Sequence, residues 1–242
     1  MRELVFTIQN NQQIAKHMYY FVLTGDTSDI MKPGQFVNIQ VPGFFLRRPI
    51  SVCDWRENEL TLIYKIVGGG TEALSKMSRG QKLSILSGLG NGYELCENQN
   101  PFIIGGGAGI PPLYGLAKRL IEKDITPKII LGFNNSDEIF YVNEFQSLGL
   151  DVTVTTLDGS YGVKGLVTDV IDNCEYAYVC GPLPMLKAVH QKVSDGQFSF
   201  EARMGCGFGV CMGCSMKIKD GYKRICKDGP VLNYSEILWD EN

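Results

Sequence analysis

Pro101-Phe102-Ile103-Ile104-Gly105-Gly106-Gly107-Ala108-Gly109-Ile110-Pro111-Pro112 decides how this chain folds. Apolar residues without alternation read as a strand buried on both faces. The glycines then turn the chain into a segment where Leu113, Leu116, Ala117, Leu120 and Ile121 recur at helical spacing, one apolar stripe that must pack on a sheet. Pro111 suits the first turn of that helix. Downstream, residues 129–133, 152–156 and 176–180 read as strands, and helices are expected over 144–148, 167–173 and 185–193. Such alternation implies a doubly wound parallel sheet.

Upstream the pattern changes. Val37, Ile39 and Val41 alternate with Asn38 and Gln40, and Leu60, Leu62, Tyr64 and Ile66 alternate with Thr61, Ile63, Lys65 and Val67, each run offering one apolar face. Residues 4–8, 18–23, 50–53 and 81–86 add candidates, giving about six antiparallel strands, enough to close a Greek-key barrel without exposed edges. Residues 71–77 are the one helix expected here. The chain therefore divides into a barrel over 1–98, an α/β domain over 99–198 and a tail over 199–242. That tail is too small to hold together by its own core and needs a staple.

The 242 residues are 44% hydrophobic and 20% charged, as in a soluble globular protein. A net charge of -3 with no long basic block argues against a nucleic-acid partner. The apolar runs fall far short of the ~20 residues that span a bilayer. Early acidic and polar residues at the start do not suit a signal peptide, so a cytoplasmic location is expected.

Eight cysteines are the unusual entry. Cys206, Cys211 and Cys214 follow the spacing C-x4-C-x2-C, and Cys226 lies further on, the plant-type arrangement for a [2Fe-2S] cluster on four thiolates. Gly205, Gly207, Gly209 and Gly213 let a loop wrap closely round such a cluster. A four-cysteine zinc site, normally built from paired C-x2-C knuckles, and two disulfides are the alternatives. Cys53, Cys96 and Cys174 are scattered and read as buried hydrophobes.

The turn Gly105-Gly106-Gly107-Ala108-Gly109 presents backbone amides at a helix N-terminus, as a pyrophosphate requires, although it departs from G-x-G-x-x-G. Cys180-Gly181-Pro182 ends the last of these strands, so both segments should line one crevice at the carboxyl edge of the sheet, with Cys180 bordering a nicotinamide. Asn134 and Asn135 have no nearby arginine for a 2'-phosphate, which favours NAD over NADP. In the barrel, Arg48-Pro49-Ile50-Ser51 combines a guanidinium suited to phosphate with a hydroxyl suited to a polar ring atom.

In order and motif the three modules resemble the ferredoxin reductase-like flavoproteins. Arg48-Pro49-Ile50-Ser51 is similar to that family's R-x-Y-[ST] flavin motif, with Ile50 replacing the tyrosine. The run Glu201-Ala202-Arg203-Met204-Gly205-Cys206-Gly207 and the ending Cys226-Lys227-Asp228-Gly229-Pro230-Val231 resemble the electron-transfer subunits of type B dihydroorotate dehydrogenases in particular. The resemblance implies FAD on Arg48, Pro49, Ile50, Ser51, Ile63, Tyr64, Lys65, Gly70 and Thr71, one [2Fe-2S] cluster, and NAD. It implies an FMN-containing partner that oxidises dihydroorotate in pyrimidine biosynthesis, two copies of each subunit forming a heterotetramer. A related NAD(P)H reductase serving a sulfide, ferredoxin or oxygenase partner is the alternative, and a zinc-stapled binding module is another. Hydride transfer is the cofactors' own chemistry, so no catalytic acid or base is expected, and His17 and His190 read as structural.

Overall fold

Alternating apolar residues close the first part of the chain into a barrel of six antiparallel strands. In the computed structural model, which describes residues 1–96 and 100–239, these are β1 (Arg2–Ala15), β2 (Met18–Thr24), β3 (Phe36–Ile39), β4 (Arg48–Arg56), β5 (Glu59–Lys65) and β6 (Lys82–Leu89), in the order β1-β2-β5-β4-β3-β6. A short helix, α1 (Gly69–Ser75), lies between β5 and β6. Phe6, Ile8, Val37, Ile39, Leu60, Leu62 and Tyr64 fill the interior. The intervening Ile63 faces the other way, into a second core shared with the nucleotide domain. The expected division at 98/99 and the acidic tip at 240–242 lie outside the described residues.

The second part consists of β7 (Phe102–Gly106), α2 (Pro111–Ile121), β8 (Lys128–Phe133), α3 (Val142–Ser147), β9 (Val152–Thr156), β10 (Val163–Lys164), β11 (Tyr176–Cys180), α4 (Leu183–His190) and β12 (Asp195–Ser199). The sheet order is β10-β9-β8-β7-β11-β12, all parallel, so the chain reverses direction of travel between β7 and β11. A ligand crevice belongs at the carboxyl ends of those two strands. Leu113, Leu116 and Leu120 of α2 are fully buried, each contributing roughly 1.5–3 kcal/mol.

Helix α2 also joins the domains. Gly115 packs straight onto β4, where a Cβ would stand 2.6 Å from the Cys53 carbonyl oxygen. Lys118 Nζ pairs with Asp54 at 2.5 Å, and the Arg119 guanidinium lies 4.8 Å from the Trp55 ring centroid.

One expectation is corrected. No helix spans 167–173: a 3-10 turn covers only Val167–Asp169. Val167, Thr168, Val170 and Ile171 are β-branched and stiff in a helix, and the Asp169 carboxylate accepts from the Leu166 amide, closing the turn on itself. The tail adds one strand to the parallel sheet. After the hairpin β13 (Ser215–Ile218) and β14 (Gly221–Arg224), strand β15 (Val231–Asn233) returns antiparallel to β12 as a seventh strand. The tail shares a core with the nucleotide domain through Phe198, Phe200, Ile218, Ile225, Leu232 and Ile237, so buried apolar surface holds it as well as any staple. Among the described residues no helix is long and apolar enough to cross a membrane.

Candidate functional site

The glycine turn and the end of β11 meet. Gly105 and Cys180 are register partners across β7 and β11, a 3-10 turn at Gly107–Gly109 leads into α2, and Ala108 stands exposed at its tip. Gly106, Gly107 and Pro182 line a cleft of about 360 Å³ together with Asn134 and Thr155. Thr155 Oγ1 is buried without a partner, an acceptor and donor still to be matched, and Gly181 adjoins the same edge beside Met185. The amides at this turn and the apolar walls fit a dinucleotide. Asn134 Nδ2 donates to Glu138 Oε2 at 2.7 Å, so a carboxylate is the nearest charge there.

Cys180 is buried, and desolvation pushes its thiol up to about 12, with Glu201 adding to the shift. It packs in the core behind the end of β11 rather than among the residues lining the cleft, and it is a neutral thiol rather than a nucleophile. Glu201 is exposed as a residue, and partial desolvation of its carboxyl raises its pKa from the ordinary value. Nothing local in the sequence marks Glu201 as a neighbour of Cys180.

In the barrel, Arg48, Pro49, Ile50 and Ser51 are all half-buried along β4. The Arg48 guanidinium sits 4.8 Å over the Phe44 ring centroid and presses on the Gly70 backbone so closely that a side chain at position 70 would collide with it. Its Nη1 donates to the Leu46 carbonyl, and among the described residues no carboxylate pairs with it. A held cation without a counter-charge fits a pyrophosphate. Arg48 and Gly70 are thus brought together, whereas four other expected contacts have their side chains engaged elsewhere. The Tyr64 hydroxyl donates to Asn11 Oδ1 at 3.0 Å inside the barrel. Thr71 Oγ1 donates to the Gly68 carbonyl and accepts from the Val67 amide at 3.0 Å. Lys65 Nζ lies 3.7 Å from Glu138 Oε1, and Ile63 is core.

The four tail cysteines gather as two pairs. The Cys206 amide donates to Cys211 Sγ at 3.5 Å, while the amides of Val210 and Cys211 donate to Cys206 Sγ at 3.3 and 3.5 Å. The Cys226 amide donates to Cys214 Sγ at 3.4 Å. Desolvation pushes the Cys206 thiol up, but bonds from the amides of Cys211, Phe208 and Val210 outweigh it and bring the pKa to about 6. Burial, with Cys214 alongside, pushes Cys226 up to about 12. Among the described residues no three His, Cys, Asp or Glu close into one metal-ligating group. Two thiol pairs suit the two irons of a [2Fe-2S] cluster, each taking two thiolates, better than one tetrahedral zinc. Amides aimed at sulfur are the hydrogen bonds that tune such a cluster. Cys211 is exposed beside Val210 and Met212, whereas Cys214 and Cys226 are buried.

Comparison with known proteins finds relatives of the whole chain and of two of its parts. Residues 201–238 match a family model described as the iron-sulfur cluster binding domain of dihydroorotate dehydrogenase B, and residues 103–191 match an oxidoreductase NAD-binding domain. A Fusobacterium nucleatum protein named dihydroorotate dehydrogenase B (NAD(+)), electron transfer subunit, is 43% identical, with 96% of each chain covered. A Bacillus cereus protein of the same name is 40% identical over 98% of this chain and 99% of its own. Among solved structures, an NADH-dependent reduced ferredoxin-NADP oxidoreductase superposes with TM-score 0.88 at 30% identity, covering 98% of this chain and 90% of its own. Phthalate dioxygenase reductase shares the fold, with TM-score 0.67 at 18% identity over 90% and 87% of the two chains.

Proposed function

Because the chain belongs to the family of dihydroorotate dehydrogenase B electron transfer subunits, we propose that it carries electrons from the FMN of a dihydroorotate-oxidising partner to NAD+, in pyrimidine biosynthesis. A [2Fe-2S] cluster exchanges single electrons, a nicotinamide accepts a hydride, and FAD does both, so the flavin belongs between them. Cys206, Cys211, Cys214 and Cys226 hold the cluster, with the exposed Cys211 edge turned to the partner. Arg48 neutralises the FAD pyrophosphate beside Gly70, and Pro49, Ile50 and Ser51 continue the groove, Ser51 offering a hydroxyl to the flavin ring. Ile63, Tyr64, Lys65 and Thr71 shape that groove from behind. Gly105, Gly106, Gly107, Ala108 and Gly109 receive the NAD pyrophosphate on backbone amides, while Gly181 and Pro182 wall the nicotinamide end, with Cys180 behind them. The working assembly is a cytoplasmic heterotetramer of two such chains with two catalytic subunits.

The observation that carries this reading is the gathering of the four cysteines in two amide-bonded pairs, three of them in a loop laid against the barrel and the fourth brought back by the β13–β14 hairpin. It is tested by co-expression with the FMN subunit, quantifying iron, sulfide, FAD and FMN, and following NAD+ reduction by dihydroorotate. All four components with turnover are expected. Turnover with a sulfide, ferredoxin or oxygenase donor alone would replace this reading with that of a related reductase, and zinc without iron or flavin would end it.

A further inference from the structure

Alternation along β3 sends Val37 and Ile39 into the barrel and Asn38 outward, where an asparagine ordinarily meets water. Here it is 1% exposed, because the cysteine loop covers it. Its Nδ2 donates to the Cys206 carbonyl at 3.3 Å. Gly207, at φ 81°, lies flat on the same amide, and any Cβ there would run into Nδ2. Among the described residues this is the one hydrogen bond from a barrel strand to the loop over 205–214. On its other side Asn38 is the register partner of Pro49 in β4, next to Arg48, and its main-chain carbonyl accepts from Arg47 Nη1 at 3.4 Å.

We propose that Asn38 is a positioning residue of the electron relay, pinning Cys206 to the flavin-bearing face of the barrel and so setting the spacing between flavin groove and cluster loop. The proposal rests on the function read above. Packing alone does not account for this side chain. Its Oδ1 is buried without a donor, a desolvation cost left uncompensated, and an apolar residue would cover the loop without that loss. Tail anchorage does not account for it either, since the tail has separate fastenings. Asn91 Nδ2 donates to the Val231 carbonyl at 2.7 Å, its Oδ1 accepts from the Val231 amide at 3.1 Å, and Arg224 Nη1 donates to the Gly209 carbonyl at 2.8 Å. What remains for Asn38 is the placement of the first ligand against the flavin strand, on which electron exchange depends steeply.

The test uses the full chain with its partner subunit, as wild type, Asn38→Leu and Asn38→Asp. The aspartate keeps the shape and loses the donor, so it reports even if the leucine variant fails to load its cluster. Iron and flavin are quantified, the reduced cluster is examined by electron paramagnetic resonance, and anaerobic mixing with NADH is followed where flavin and cluster absorb separately. Both variants should hold flavin, and their flavin should bleach at the wild-type rate. Cluster bleaching should lag about tenfold, the equivalent of one lost hydrogen bond, and the resonance should broaden. Cluster bleaching at the wild-type rate with an unchanged resonance in Asn38→Asp would overturn the proposal, as would equal slowing of flavin and cluster. Wild-type protein lacking iron or flavin would instead remove the functional reading beneath it.

Discussion

Gly115→Ala tests whether the α2–β4 contact sets the geometry of hydride transfer. The new methyl would stand 2.6 Å from the Cys53 carbonyl oxygen, and that neighbour is main chain. Restoring an ordinary contact of 3.4 Å requires α2 to move off β4 by about 0.8 Å. Overpacking costs about 1–3 kcal/mol, and replacing glycine within a helix returns about 1 kcal/mol, so stability should change little or fall by up to about 2 kcal/mol. The kinetic effect should be larger. The turn at 105–109 rides on the N-terminus of α2 and the Arg48–Ser51 groove on β4, so the shift displaces the nicotinamide crevice from the flavin groove, and a displacement near 1 Å can cost about a hundredfold. Anaerobic stopped-flow reduction of the bound FAD by NADH, with (4R)-deuterated NADH to show that the hydride step is followed, should slow by roughly ten- to a hundredfold. A rate within about twofold of wild type, at unchanged flavin content, would refute the claim that this packing sets the distance.

Other expectations follow from single side chains. Cys211→Ser should abolish or impair the cluster's visible absorbance while FAD stays bound, and dihydroorotate-to-NAD+ transfer in the complex should collapse; full-rate transfer would mean another route. Arg48→Ala should weaken FAD retention by about ten- to a hundredfold, the loss of a charge-assisted bond, with NAD binding unchanged on titration. His190 stacks 3.9 Å from Tyr234, and desolvation holds its pKa below the ordinary value despite the bond to the Tyr234 carbonyl. The folded state therefore disfavours the imidazolium, and this contribution is complete above the unfolded pKa and lost as pH falls through the depressed folded one. Melting curves should show the wild type losing more stability than His190→Gln between pH 7 and about pH 5; parallel losses would contradict the shift.

What the sequence made legible was local. Cys206, Cys211 and Cys214 lie within one short loop and Gly105 to Gly109 within one turn, so spacing alone carries their chemistry. Asn38 and Glu201 were invisible because their meaning comes from sequence-distant segments: Cys206 stands 168 positions from Asn38. Val167, Val170 and Ile171 fall at helical spacing and misled for that reason, the period being right and the β-branching and Asp169 deciding otherwise. Strand β12 escaped because Asp195-Gly196-Gln197-Phe198-Ser199 has no apolar alternation; it is buried as an inner strand, between β11 and β15.

The return of β15 to β12 bears on how the protein matures. Both ends of the cysteine-bearing segment are sewn into one sheet edge, so the sheet should hold the thiols near one another whether or not iron is bound. Limited proteolysis of iron-starved and iron-replete protein should differ in the loop over 205–214 and nowhere in the sheet. With that outcome, iron supply would set how many molecules conduct and the sheet would set how many fold.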